Sequence, residues 1–244
     1  MPAPGDAGRP VPAGTTPQSA RAHVFVADVG SPRLSPDDHH HLARVLRLPE
    51  GSVVTVGDGC GRWRPARTTR GAELVDTGDI VADPAPSPPI TVAFALVKGE
   101  RPEMAVQKLT EVGVDRIMPF VAERSVVRWD EAKADRRHAR LTDVARHAAV
   151  QCRRTWLPRV EPVTTFGEVA SLPGAVMAQP DGDPPSLDRP VVLVGPEGGW
   201  SPSELELGLP HVRLSINVLR ADTASVTICT LLAALRTGLV MESS

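Results

Sequence analysis

Tyrosine is absent, and aromatic residues make up only 3% of the chain. Proteins that grip single-stranded nucleic acid stack bases on aromatic rings, so that mode is excluded as a main source of binding. Cysteine is scarce too: Cys60, Cys152 and Cys229 are odd in number and far apart. No C-x-x-C pair frames a structural zinc, and nothing suggests a disulfide framework, which points to a reducing compartment. No apolar run approaches the roughly 18 residues of a membrane span. A Walker loop and a G-x-S-x-G elbow are both missing, so nothing supports P-loop chemistry or a serine nucleophile. Met1 to Ala20 is rich in Pro, Gly and Ala and lacks the apolar block of a signal peptide. Residues 1–21 therefore read as a disordered tail on a cytoplasmic protein.

What is present is an ordinary globular composition of 244 residues, 41% hydrophobic and 23% charged, long enough to bury an ample core. The net charge of −2 is unevenly spread. From Lys98 to Arg159 there are 14 Lys and Arg against 9 Asp and Glu, a local +5, while the remainder carries 13 against 20, or −7. Such asymmetry fits either a polyanionic partner or a solvated, arginine-rich helix face.

From His23 to Asp83 the pattern is mostly that of strands, with candidates at 23–27, 52–56, 73–76 and 79–81. One helix interrupts them: Ser35 is a good N-cap, Pro36 suits the first turn, and Leu42, Val45 and Leu46 recur on one face. Residues 83–89 then hold four prolines in seven residues. This divides the chain into a domain at 22–83, a linker at 84–89 and a second domain at 90–244. Beyond the linker, strands at 90–97, 116–121, 175–178 and 190–194 alternate with helices at 102–112, 130–151, 202–207 and 222–239. That rhythm predicts an α/β domain with a mainly parallel sheet covered on both faces.

Gly57-Asp58-Gly59-Cys60-Gly61 looks like a dinucleotide loop, but that chemistry needs a helix N-terminus directly after the glycines. Arg62-Trp63-Arg64-Pro65 follows instead, which fits a hairpin turn. His39-His40-His41 points its side chains in different directions and lacks the i,i+4 spacing of metal ligands; no metal is expected. His40 and Arg44 share a face that could touch phosphate.

The strongest feature is a short apolar strand, 190–194, running into Gly195-Pro196-Glu197-Gly198-Gly199. It is answered by Leu219-Arg220-Ala221-Asp222-Thr223, which opens a long helix. Two strand-to-helix turns rich in backbone N–H groups suit a small polar ligand at the carboxyl end of an α/β sheet. Glu197 and Arg220 flanking one cleft are what acid–base or electrostatic work on a polar ring needs.

With these turns, the segments 40–47, 98–99, 107–119, 123–126 and 149–154, followed by Leu157-Pro158, together resemble the RsmE family of bacterial 16S ribosomal RNA (uracil-N3)-methyltransferases, of the SPOUT superfamily. The resemblance runs from His23 through nearly all of the chain. It implies an N-terminal PUA-like RNA-binding barrel and a C-terminal SPOUT α/β domain with a deep trefoil knot. It also implies a homodimer, S-adenosyl-L-methionine (SAM) as cofactor, and a uridine of 16S rRNA in the small ribosomal subunit (position 1498 in the usual RNA numbering) as substrate.

Carried over by motif, Gly195, Pro196, Glu197, Gly199, Leu214, Ser215, Val218, Leu219 and Arg220 would hold the cofactor, with Arg220 and Glu197 at the chemistry. His40, Arg44, Arg47, Lys98, Arg124, Arg128, Arg153 and Arg154 are the implied RNA contacts. The second loop departs from the family pattern of Leu-Gly-Pro leading to Leu-Arg-Thr: Ser215 stands for the glycine, Ala221 for the threonine, and Asp222 where Glu or Ser is common. The segment between Gly199 and Leu214 is also short. A divergent relative with another RNA or small-molecule target, or a non-catalytic RNA-binding protein, remains a second reading.

Overall fold

The computed structural model describes residues 12, 14–69, 71, 73–76, 78–96, 101–125 and 130–241. Two compact units share the chain: Met1–Ala85 with Ala149–Leu157, and Pro86–Ala148 with Pro158–Ser244. The division falls inside the proline-rich stretch. The return of Ala149–Leu157 to the first unit was not expected.

The first unit is built on a mixed five-stranded sheet. Strand β1 (His23–Phe25) is followed by helix α1 (Pro36–His40), which continues as a π-helical turn over His41–Val45. Then come β2 (Val53–Gly57), β3 (Arg62–Thr68), β4 (Leu74–Asp76) and β5 (Val81–Ala82). β1 lies parallel to β2; β2 pairs antiparallel with β3, and β3 with both β4 and β5. The glycine-rich stretch 57–61 is the β2–β3 hairpin, with Asp58 Oδ1 accepting the Cys60 N–H at 2.7 Å. β3 was hidden by Pro65, which breaks a strand reading. Pro65 falls between the residues of β3 that pair with β4 and those that pair with β5, where a missing N–H interrupts neither ladder.

Side chains alternating inward from β1, β2 and β3 (Val24, Val54, Val56, Ala66) meet Leu42 in the core. Ala149–Leu157 closes on the hairpin: Gly61 N–H donates to Thr155 O at 3.0 Å and Leu157 N–H to Gly59 O at 2.9 Å. Gly61 has φ +85, and a Cβ there would lie 2.5 Å from the Trp156 ring, so no other residue fits.

Part of the expected tail is ordered. Arg21 N–H donates to Val53 O at 2.8 Å and Ala20 is buried. Arg153 Nη1 donates to the carbonyls of Pro17, at 3.2 Å, and of Gln18. A Pro/Gly/Ala composition reads as disorder because it carries no apolar periodicity; here a guanidinium gathers the main-chain carbonyls instead.

His23 is buried beside Thr55, whose Oγ1 lies 2.8 Å from its Nδ1. Burial, aided by the Arg153 charge, pushes its pKa from 6.5 down to about 4. The folded state therefore prefers the neutral ring, and the unfolded chain binds the extra proton. His23 leaves stability intact above pH 6.5 and erodes it as pH falls from there towards about 4, by on the order of 2–3 kcal/mol. Urea unfolding of wild type and His23→Gln across that window checks this: the wild-type midpoint should fall further than the variant's.

In the second unit, β6 (Thr91–Ala95), α2 (Arg101–Val112), β7 (Arg116–Val121), α3 (Glu131–Cys152), β8 (Arg159–Val160), β9 (Thr164–Thr165) and α4 (Phe166–Ala170) follow in order. They precede β10 (Ala175–Asp183), β11 (Val191–Val194), α5 (Pro202–Leu205), β12 (His211–Val212) and α6 (Ala221–Arg236). The sheet runs β12-β10-β11-β6-β7-β8, with β9 also beside β7, and every pairing is parallel.

Alternate residues of each strand serve opposite faces. Val92 and Phe94 join Leu109, Leu141, Ile228 and Leu232 in one core. Ala93 and Ala95 join Phe120, Val169, Met177, Leu193 and Trp200 in the other. Two buried faces explain why these strands read as continuous apolar runs. α5 is a single turn, shorter than expected, and β10 extends five residues beyond its apolar stretch. No described helix is long and apolar enough to cross a membrane.

Candidate cofactor site

β10, β11 and β6 point their carboxyl ends the same way because all are parallel. The cleft of the second unit lies at the ends of β10 and β11. It measures about 210 Å3 and is walled by the turn after β11, the loop before α6 and the continuation of β10.

Of the residues singled out in the sequence, Gly195, Pro196, Glu197, Gly199, Leu214, Ser215, Val218 and Leu219 line it together. Arg220 does not. It is exposed and sits between two lining residues, Leu219 and Ala221, as the N-cap of α6 with φ −69 and ψ 155. Among the described residues its guanidinium has no hydrogen-bond or ion-pair partner.

Three lining residues that sequence reasoning missed, Ala178, Gln179 and Pro180, come from the end of β10. A strand's carboxyl end beside the glycine turn was the available signal. Small Ala221 and Ala224 from α6 complete the floor.

The turn's shape has local causes. Gly199 adopts φ +68, a region other residues enter at a cost. A Cβ on Gly195 would lie 2.9 Å from the Trp200 ring. That ring cannot easily retreat, because it stacks on Phe120 at 6.1 Å with an interplanar angle of 4° and its Nε1 donates to Ala178 O at 3.3 Å. Gly195→Ala is expected to lose about 1–3 kcal/mol by overpacking, read as a lower urea midpoint at unchanged slope.

Ser215 takes the family glycine's place without strain: among the described non-glycine residues only Arg47 and Arg153 have positive φ. Its Oγ accepts the Asn217 N–H at 3.0 Å, fixing the loop locally.

The electrostatics are simple. Glu197 is the one charged residue among those lining the cleft, and it is exposed. Behind the turn, Ser201 and Ser203 hydroxyls hold the Glu123 carboxyl below the usual carboxylate range.

The basic candidates are dispersed. His40, Arg44 and Arg47 are exposed in the first unit, Arg47 with φ +48. Arg153 and Arg154 also belong to the first unit. Arg153 binds the main-chain carbonyls already described, and Arg154 Nε donates to Trp156 O at 3.1 Å. Arg124, in the second unit, donates to Gly198 O at 3.1 Å. Lys98 and Arg128 lie outside the described residues. Among the described residues no group of His, Cys, Asp and Glu is placed to hold a metal ion.

Comparison with known proteins places the chain in a family. Residues 84–233 match the RNA methyltransferase domain family. The chain is 34% identical over 215 residues to the ribosomal RNA small subunit methyltransferase E of Mycobacterium bovis, covering 78% of this chain and 80% of that protein. It is 33% identical to the Bacillus subtilis protein of the same name, over 70% and 75% of the two chains. Among solved structures, a Legionella pneumophila protein in complex with SAM superposes with a TM-score of 0.75 at 28% identity, covering 87% of this chain and 97% of that one. The Neisseria gonorrhoeae ribosomal RNA small subunit methyltransferase E bound to SAM gives 0.68 at 25%, over 88% and 97%. A glycine turn and an Arg-bearing loop meeting at the carboxyl ends of parallel strands, in a chain related at this level and over this length, establish that it belongs to the ribosomal RNA small subunit methyltransferase E family.

Proposed function

We propose that this chain is a SAM-dependent methyltransferase acting on uracil N3 of 16S rRNA in the small ribosomal subunit, as a cytoplasmic homodimer. In this reading the first unit is a PUA-like RNA-binding barrel, and the second a SPOUT domain whose chain is tied in a trefoil knot. The observation that carries it is the convergence of eight motif residues on one cleft in a member of this family.

The cleft suits the cofactor. Val194, Leu214 and Leu219 offer apolar walls for a flat ring. Glycines at 195 and 199 keep side chains away from the floor, leaving main-chain groups to bind the polar tail. Glu197 puts negative charge beside a cleft that would receive a cation.

When bound, SAM supplies an electrophilic methyl group carried on a sulfonium. Uracil N3 bears a proton and is a poor nucleophile until that proton leaves. The Arg220 guanidinium, unengaged at the mouth of the cleft, would stabilise the negative charge that develops on the ring as N3 releases its proton to solvent. Holding the base in line with that methyl supplies the remaining acceleration. His40, Arg44 and Arg47 are proposed phosphate contacts.

The test is to incubate the purified chain with SAM and small subunits lacking the modification, then map methylated nucleosides by mass spectrometry. N3-methyluridine at one site is the expected product. SAM binding with methylation of another base would sink the uracil assignment. No SAM binding by calorimetry would favour a non-catalytic RNA-binding protein.

A further inference from the structure

The loop after β7 carries Glu123-Arg124-Ser125, in which only Arg124 has been given a role, as an RNA contact. We propose that this loop is a clasp that holds the glycine turn in its cofactor-binding shape, with Arg124 and Glu204 as positioning residues of the cleft. The inference rests on the functional reading above and deepens it.

The geometry is reciprocal. Glu204 is only 4% exposed, a burial that a carboxylate tolerates only when its oxygens are bonded. One oxygen accepts the main-chain N–H of Glu123 at 2.9 Å, the other that of Ser201 at 2.8 Å. A single buried side chain thus fastens the loop after β7 to the segment that follows the turn. Ser203 Oγ adds a second tie, donating to Glu123 Oε2 at 2.5 Å. Arg124 adds a third on the turn itself, its Nη1 reaching Gly198 O at 3.1 Å.

The loop is braced by its own hydrogen bonds. Ser125 Oγ accepts the Ala122 N–H at 3.1 Å, and Ser125 N–H donates to Ala122 O at 3.0 Å. Gly198, whose carbonyl Arg124 takes, sits between lining residues Glu197 and Gly199. An arginine facing phosphate would leave that carbonyl to water and the turn held from one side only.

Arg124→Met, Arg124→Lys and Glu204→Gln decide the matter, with SAM affinity measured by calorimetry in the absence of RNA. Arg124→Met and Glu204→Gln should each weaken SAM about tenfold, the worth of one hydrogen bond involving a charged group. KM for SAM should rise while kcat at saturating SAM holds, and Arg124→Lys should recover part of the loss. The salt dependence of RNA binding should not change. Unchanged SAM affinity in Arg124→Met, with the slope of log K against log salt reduced by about one, would make Arg124 a phosphate contact and overturn the clasp. A fall in thermal stability of Glu204→Gln without any change in KM for SAM would reduce Glu204 to a structural brace and overturn it equally. Failure of the unmodified chain to bind SAM would instead remove the functional reading beneath it.

Discussion

Arg220→Ala should lower single-turnover methyl transfer at saturating SAM by about 10²-fold or more, the usual cost of deleting a group aimed at developing negative charge, while SAM affinity stays close to wild type. The separation follows from where Arg220 stands. It is absent from the cleft lining, yet both of its chain neighbours line it. Its side chain makes no cap to α6, so truncation removes no structural bond, and an exposed residue of this kind rarely moves stability by more than about 0.5 kcal/mol. In the proposed reaction, charge on the uracil ring arises only when N3 loses its proton, so a guanidinium acting there would stabilise the transition state and leave cofactor binding alone. Arg220→Lys should fall between the two, since an ammonium keeps the charge and loses the planar fork. Rates by rapid quench and affinities by calorimetry check both halves. Unchanged turnover would remove Arg220 from the chemistry, and a parallel loss of SAM affinity would make it a cofactor ligand.

Much of this site was legible in the sequence for a physical reason. A glycine-framed turn after an apolar strand announces main chain left open to a ligand, and that signal is local. The residues from β10 were not legible, because Ala178, Gln179 and Pro180 reach the cleft only through the pairing of β10 with β11. Non-local pairing is invisible to periodicity. The same limit hid the strand order, in which β11 inserts between β10 and β6, and the two-residue strands β8, β9 and β12, too short to show alternation. Ala149–Cys152 continue the helical pattern of α3 without a break, so nothing in the spacing told which unit would receive the segment they open.

Charge counting was the weaker guide. The stretch of local +5 suggested phosphate contacts, but three of its arginines serve the protein's own main chain, Arg154 by its bond to Trp156 O. Arg153 gathers the carbonyls of Pro17, Gln18 and Arg21, and Arg124 takes that of Gly198. A guanidinium has five donors in a fixed fork, which suits carbonyl clusters as well as phosphates; composition cannot separate the two. Ser215 shows the converse. It departs from the family glycine in sequence, and its backbone angles show that an ordinary residue fits there.

Arg236→Met should destabilise the fold by about 3–5 kcal/mol, the range for breaking one side of a buried ion pair. Arg236 closes α6, the helix whose first turns floor the cleft, and its guanidinium pairs with Asp115 while donating to Pro88 O at 3.1 Å and Gly113 O at 2.8 Å. One side chain thereby ties the end of α6 to the end of α2 and the approach to β6. Both partners are largely buried, with side chains 12% and 15% exposed, so solvent screening relieves little of the loss. Methionine preserves the stem and deletes the charge, leaving Asp115 with the Ile90 N–H, at 2.8 Å, but without its guanidinium. Because the Asp115 carboxylate loses its guanidinium in that variant, adding Asp115→Asn to Arg236→Met should recover part of the penalty, giving a coupling of about 1–3 kcal/mol in a double-mutant cycle. At about 2–4 °C per kcal/mol for a chain of this size, the single variant should melt roughly 10 °C lower. A loss under about 1 kcal/mol would place the pair with exposed surface bridges, and the C-terminal end of α6 would then be held by its apolar face alone.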